Sequence, residues 1–279
     1  MNTRIIFVEG IPGAGKTTAV QQIGHILREK GIVTHMYVEG DLDQPADYER
    51  VAYLQEENLS FILDKHSISS LELNRFRESI EKGVLVYYGK LEESALFPEE
   101  FIKELSFYDV YNQPPTIYRT LLKRKWTSFK KSLGHNDHVY ILDCCLLQNP
   151  TTFLMAKNNL STTNIQSFIT ELINEIRGFN PLVIYIEPTD ITQSFSHVQK
   201  ERSNDWFEFV RDYYTTQEFG YNNGLPNDLT GIIQYLTHRV KLEKDILSHS
   251  EIDWVHIERS QSSFGKVNEM IKEEISIRL

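Results

Sequence analysis

The chain has 279 residues and a formal charge of −10, with 41% hydrophobic and 24% charged residues, so it has ordinary globular usage and enough length for a sizeable core. The acidic balance repels polyanions, and nucleic acid is therefore not an expected partner. No apolar stretch approaches the ~20 residues that span a bilayer, and the N-terminus reads as a strand and not a signal peptide, so a cytoplasmic location without membrane contact is expected.

An apolar run, Ile5, Ile6, Phe7 and Val8, lacks the polar alternation of a half-exposed strand and suits one buried on both faces. It leads into Gly10, Ile11, Pro12, Gly13, Ala14, Gly15, Lys16 and Thr17, followed by Thr18, which fits G-x-x-x-x-G-K-[ST], the phosphate-binding P-loop, between a strand and a helical pattern. Gly10, Gly13 and Gly15 permit positive φ, so successive N–H groups can turn inward as an anion nest. The helix beginning near Lys16 aims its unpaired N–H groups and positive dipole end at the same place. Lys16 is then placed to reach β- and γ-phosphates, and Thr17 to ligate magnesium.

Apolar residues Val20, Ile23, Ile26 and Leu27 carry the first helix over 16–30, stopped by Gly31. A second strand near 33–38 ends in Glu39, Asp41 and Asp43, at the strand end where open α/β sheets bind ligands. Residues 48–82 read as mostly helical, with a capping signal at 69–72, and 84–88 fits either a short strand or a buried helical turn. Pro98 with Glu99 and Glu100 opens another helix, and Pro114 and Pro115 precede one over 116–133. That last helix interleaves Arg119, Lys123, Arg124, Lys125, Lys130 and Lys131 with Tyr118, Trp126 and Phe129. The pattern suits a solvated basic face opposite an apolar stripe; an anionic ligand is the alternative.

A third buried strand over 139–143 presents Asp143 as a Walker B acid presents its carboxylate, a candidate magnesium-organising group. Cys144 and Cys145 are the two cysteines of the chain, and adjacent residues provide neither a disulfide framework nor zinc-site spacing, so they read as core thiols, with a reactive thiol as the alternative. Residues 144–149 are expected to form a turn leaving the site at Pro150. A helix over 164–177, a strand over 182–186 and a further helical stretch from Asp190 follow, and Lys200 and Arg202 are placed to close over phosphates as a lid. Helices near 206–214 and 229–247, a strand over 254–257 and a helix over 264–277 complete the chain.

Together the glycine motif with its preceding Glu9, the strand-two acids, Asp143 and the lid-like 200–202 resemble the P-loop kinases, a group that includes thymidylate kinase, deoxynucleoside kinases and chloramphenicol phosphotransferase. The resemblance implies an α/β three-layer sandwich, a five-stranded parallel sheet in order 2-3-1-4-5, and a helical insertion after strand two. The expected layout is one domain over 1–279, with the insertion at about 47–135 and the lid at about 190–215. It further implies ATP and Mg2+ as cofactors, a small-molecule phosphoryl acceptor, and a carboxylate, Asp41 or Glu39, that takes or orients the acceptor's proton, Asp41 being preferred. Two departures from the family pattern stand out: Cys144 follows Asp143 where an arginine is usual, and Lys200 replaces a lid arginine. A non-kinase P-loop ATPase acting as a switch is the alternative, and a homodimer is compatible with either. No Asn-Lys-x-Asp occurs, which disfavours a GTPase.

Overall fold

The structure, a computed structural model, describes residues 3–134, 137–260 and 264–278. Its strands, in chain order, are β1 (Ile5–Gly10), β2 (Thr34–Tyr37), β3 (Ala52–Leu54), β4 (Arg77–Ile80), β5 (Gly83–Val86), β6 (Val139–Asp143), β7 (Leu182–Pro188) and β8 (Asp253–Arg259). The chain forms two compact units, Met1–Glu39 with Trp126–Leu279, and Gly40–Lys125. The insertion boundary expected at residue 135 lies outside the described residues.

The first unit is α/β, with a five-stranded, all-parallel sheet flanked by helices. Its hydrogen-bonded neighbours run β2-β6-β1-β7-β8. The apolar runs of β1 and β6 are buried at every position, as expected of central parallel strands covered on both faces. Helix Lys16–Glu29 buries Ala19, Val20, Ile23, Ile26 and Leu27 at helical spacing, and helix Thr162–Ile176 buries Ile165, Phe168, Ile169, Leu172, Ile173 and Ile176. Helix Leu229–His249 buries a stripe through Ile232, Leu236, Val240 and Leu247. Gly10 brings β1 to its end against β7: a Cβ there would lie 2.2 Å from the Ile186 carbonyl oxygen, and its φ of 141° suits glycine alone.

The second unit departs from the helical insertion expected from the sequence. It holds an antiparallel sheet of order β3-β5-β4 beside helices Glu56–His66, Tyr88–Ser94 and Glu99–Ser106, with a core that includes Leu54, Leu59, Ile62, Val84, Val86 and Phe101. Residues 52–54, within the stretch expected to be helical, are strand β3, which pairs with β5 and buries all three of its residues. The ambiguous apolar run near 84 is strand β5. The capping signal forms as a box, with the Ser69 hydroxyl accepting from the helix backbone and the Ser69 N–H donating to Glu72 Oε2 at 3.0 Å.

The aromatic side chains of helix Pro115–Ser132 are core: Tyr118, Trp126 and Phe129 are buried, and Trp126 stacks on Phe7 at 5.6 Å between ring centroids. Several of its cations meet carboxylates, Arg124 with Glu78 and Lys130 with Glu175. Among the described residues no helix is long and apolar enough to cross a membrane.

Candidate functional site

Lys16, Glu39 and Asp143 stand just beyond or at the carboxyl ends of β1, β2 and β6, within the first unit. The chain leaves β1 through Gly10, Gly13 and Gly15, with φ of 141°, 82° and 93°, and enters helix Lys16–Glu29 at Gly15, which offers no side-chain cap. The first-turn N–H groups of that helix therefore point out of it without a capping oxygen, the arrangement that attracts an anion. Lys16 is buried, and its Nζ donates to the Ile11 carbonyl at 3.2 Å, bending back across the loop. Burial opposes the lysine's charge, but Cys144, Glu39 and Asp143 together raise its pKa above the ordinary value. Burial also raises the Cys144 thiol well above its own ordinary value, so the side chain remains a thiol and Glu39 and Asp143 are the neighbours that hold the lysine's pKa up.

Thr17 donates from Oγ1 to Asp143 Oδ2 at 3.2 Å, and Cys144 Sγ donates to Asp143 Oδ1 at 2.9 Å. Burial raises the Asp143 pKa; Lys16 and these two hydrogen bonds work in the opposite direction. A hydroxyl and a carboxylate side by side offer two hard oxygens to a divalent cation, which would complete its shell from phosphate and water. Among the described residues no group of three or more His, Cys, Asp or Glu side chains is arranged to hold a metal by itself.

Glu39, at the end of the β2 segment, is the acid that joins this group. Its Oε1 accepts from Gln148 Nε2 at 3.1 Å, and its Oε2 lies 3.6 Å from Cys144 Sγ. Asp41 belongs to the second unit, where its Oδ1 accepts from the Asp43 N–H at 2.9 Å in a turn. Asp43 forms an ion pair with Lys90 of the same unit. Lys200 and Arg202 are exposed at the end of helix Ile191–Glu201, and Arg202 lies 5.9 Å over the Trp206 ring. The same helix meets the glycine loop through Val198: a Cβ on Gly13 would lie 2.3 Å from Val198 Cγ2. A polar cleft beside Gly13 is lined by Thr189, Asp190, Gln193, His197 and Arg259, and Arg259 Nη1 donates to the Gly13 carbonyl at 2.9 Å.

Residues 145–147 form a turn, as the sequence suggests, but the segment stays at the site and does not leave it, since Cys144 and Gln148 reach Asp143 and Glu39. Helix Gln148–Thr152 contains Pro150 and continues into a π-helical turn, Phe153–Lys157. Pro150 is tolerated because the first-turn N–H that it lacks has no intrahelical partner in any case.

Three buried ionisable side chains of the first unit were not read as site residues from the sequence. Glu9 has no exposed surface; its Oε1 accepts from the N–H groups of Leu146 and Leu147 at 2.8 and 3.1 Å, and its Oε2 from that of Gln148 at 2.9 Å. Burial pushes its pKa up to about 8, against those three donors. Arg239 and Glu243 lie fully buried on helix Leu229–His249, with Nε and Oε1 3.2 Å apart. The signal for all three was a charge inside an apolar pattern: Glu9 within a buried strand, and Arg239 and Glu243 at stripe spacing with Leu236, Val240 and Leu247.

No family model matches the chain, and no curated protein matches its sequence.

Proposed function

We propose that the chain is an ATP- and magnesium-dependent phosphotransferase of the P-loop kinase type, moving the γ-phosphate to a hydroxyl or phosphate of a small molecule such as a nucleoside, nucleotide or antibiotic. The observation that carries this reading is the gathering of buried Lys16, the Thr17–Asp143 pair and Glu39 around an uncapped helix N-terminus. The sheet adds support, since its five strands, numbered along the first unit, lie in the order 2-3-1-4-5 expected of that group.

Phosphoryl transfer asks the protein mainly for positioning and charge neutralisation. In this reading the loop N–H groups and Lys16 hold the phosphates, and Thr17 and Asp143 are the residues that would hold magnesium. Magnesium held there would supply neutralising positive charge. Glu39 takes or orients the acceptor's proton, a role that suits it better than Asp41 because its carboxylate acts electrostatically on Lys16 and is gripped by Gln148. Lys200 and Arg202 approach the transferring group if helix Ile191–Glu201 moves with its Val198 contact to the loop.

The test is ATP consumption by the purified protein with magnesium, alone and with a library of nucleosides, nucleotides, sugars and antibiotics. Turnover that depends on one acceptor and falls at least about 100-fold in Lys16→Ala supports the kinase. Acceptor-independent hydrolysis that is lost in the same variant would instead mark a switch-type ATPase. Full activity in Lys16→Ala would overturn both readings. Within a kinase, Glu39→Gln should lose transfer while retaining nucleotide, and Asp41→Asn should keep both.

A further inference from the structure

Arg239 is a second buried cation at the glycine loop, and its guanidinium is not spent on its counter-ion. Its Nη2 donates to the Gly10 carbonyl at 3.4 Å and its Nη1 to Thr152 Oγ1 at 2.9 Å. Toward Glu243 it presents only Nε, at 3.2 Å, and neither that Nε nor Glu243 Oε1 has a hydrogen-bond partner, so the pair touches without the two-pronged alignment of a strong Arg–carboxylate bridge. The other Glu243 oxygen accepts from the Tyr185 hydroxyl at 2.7 Å. The positive fork is thereby directed at the first carbonyl of the loop. A guanidinium held at that carbonyl in a dry interior favours an anion arriving at the loop.

We propose that Arg239 strengthens oligophosphate binding at the glycine loop from beneath, as a positioning and field-setting residue held in check by Glu243. The ligand class is a nucleoside triphosphate or any linear oligophosphate, and the inference rests on the nucleotide-binding part of the reading above. Arg239 touches no phosphate in this scheme. It braces Gly10 and adds positive potential under a nest that the loop backbone forms.

A tie that merely holds helix Leu229–His249 to β1 predicts that removing either partner loosens the loop and weakens binding. The field proposal predicts opposite signs. Titration calorimetry of the full chain with inorganic tripolyphosphate, and with magnesium-ATP, should show Glu243→Gln binding about threefold tighter than wild type even though the variant is less stable to urea. Arg239→Met should bind about tenfold weaker, and Arg239→Lys should keep affinity within about threefold. Glu243→Gln that binds equally or more weakly would overturn the proposal. If Glu243→Gln does not fold, Arg239→Met and Arg239→Lys decide: equal affinities overturn the proposal, and a loss confined to Met supports it. Wild-type protein that binds neither probe would sink the nucleotide reading itself, whereas wild-type binding with unmoved variants would sink this inference alone.

Discussion

A carboxylate without exposed surface needs donors, and Glu9 finds three in the backbone of residues 146–148. That arrangement ties the end of β1 to the loop that carries Cys144 and Gln148, and these two grip Glu39. Glu9 therefore shapes the site without facing a ligand. Its pKa near 8 in the folded state exceeds the value of 4.5 for the free side chain, so the folded protein holds a proton that the unfolded chain releases between those values. The stability that Glu9 lends is full below pH 4.5 and is lost as the pH rises to about 8, by at most about 1.4 kcal/mol per pH unit. Urea midpoints measured across this range should fall more steeply for wild type than for Glu9→Gln; parallel curves would contradict a raised pKa. None of this was legible in the sequence, because the partners lie 137 to 139 residues away and consist of backbone N–H groups that any residue supplies. Lys16, Thr17, Asp143 and Glu39 were legible, because the chemistry of each side chain and its place at a strand end or helix start are local properties.

At the scale of elements, what decided legibility was length and burial. The central strands announced themselves through apolar runs, as at residues 5–8 and 182–186. Strands β3 and β4 did not, since the three residues of β3 are too few to show alternation and Arg-Glu-Ser-Ile of β4 has the composition of a solvated helix turn. The second unit was accordingly read as helical. The turn from β1 into the glycine loop carries a sharp expectation of its own. Gly10→Ala drives a Cβ to within 2.2 Å of the Ile186 carbonyl, a backbone atom that cannot swing aside, and keeps a φ of 141° that alanine resists. Loss on the order of 3 kcal/mol in chemical denaturation should follow; a loss under about 0.5 kcal/mol would show that β1 and β7 part easily.

Across the whole molecule the excess of acid over base, −10, opposes the local cations of the site. The general field extends over about 30 Å at 10 mM salt and about 10 Å at 100 mM, so salt removes it while leaving the buried Lys16 largely unscreened. Stopped-flow association of magnesium-ATP should thus quicken between these salt concentrations, and slowing over the same interval would show that local cations govern the approach. The two cysteines of the chain add a different property at this scale. Cys144 and Cys145 are adjacent, buried and unbridged, and Cys144 holds φ of 66°, a left-handed backbone that its hydrogen bond to Asp143 accompanies. An alkylating reagent thus has no other thiol to attack and meets these only when the end of β6 opens. Each adduct weighed by mass spectrometry becomes a tally of such openings, and the protein carries its own gauge of how often the end of β6 breathes.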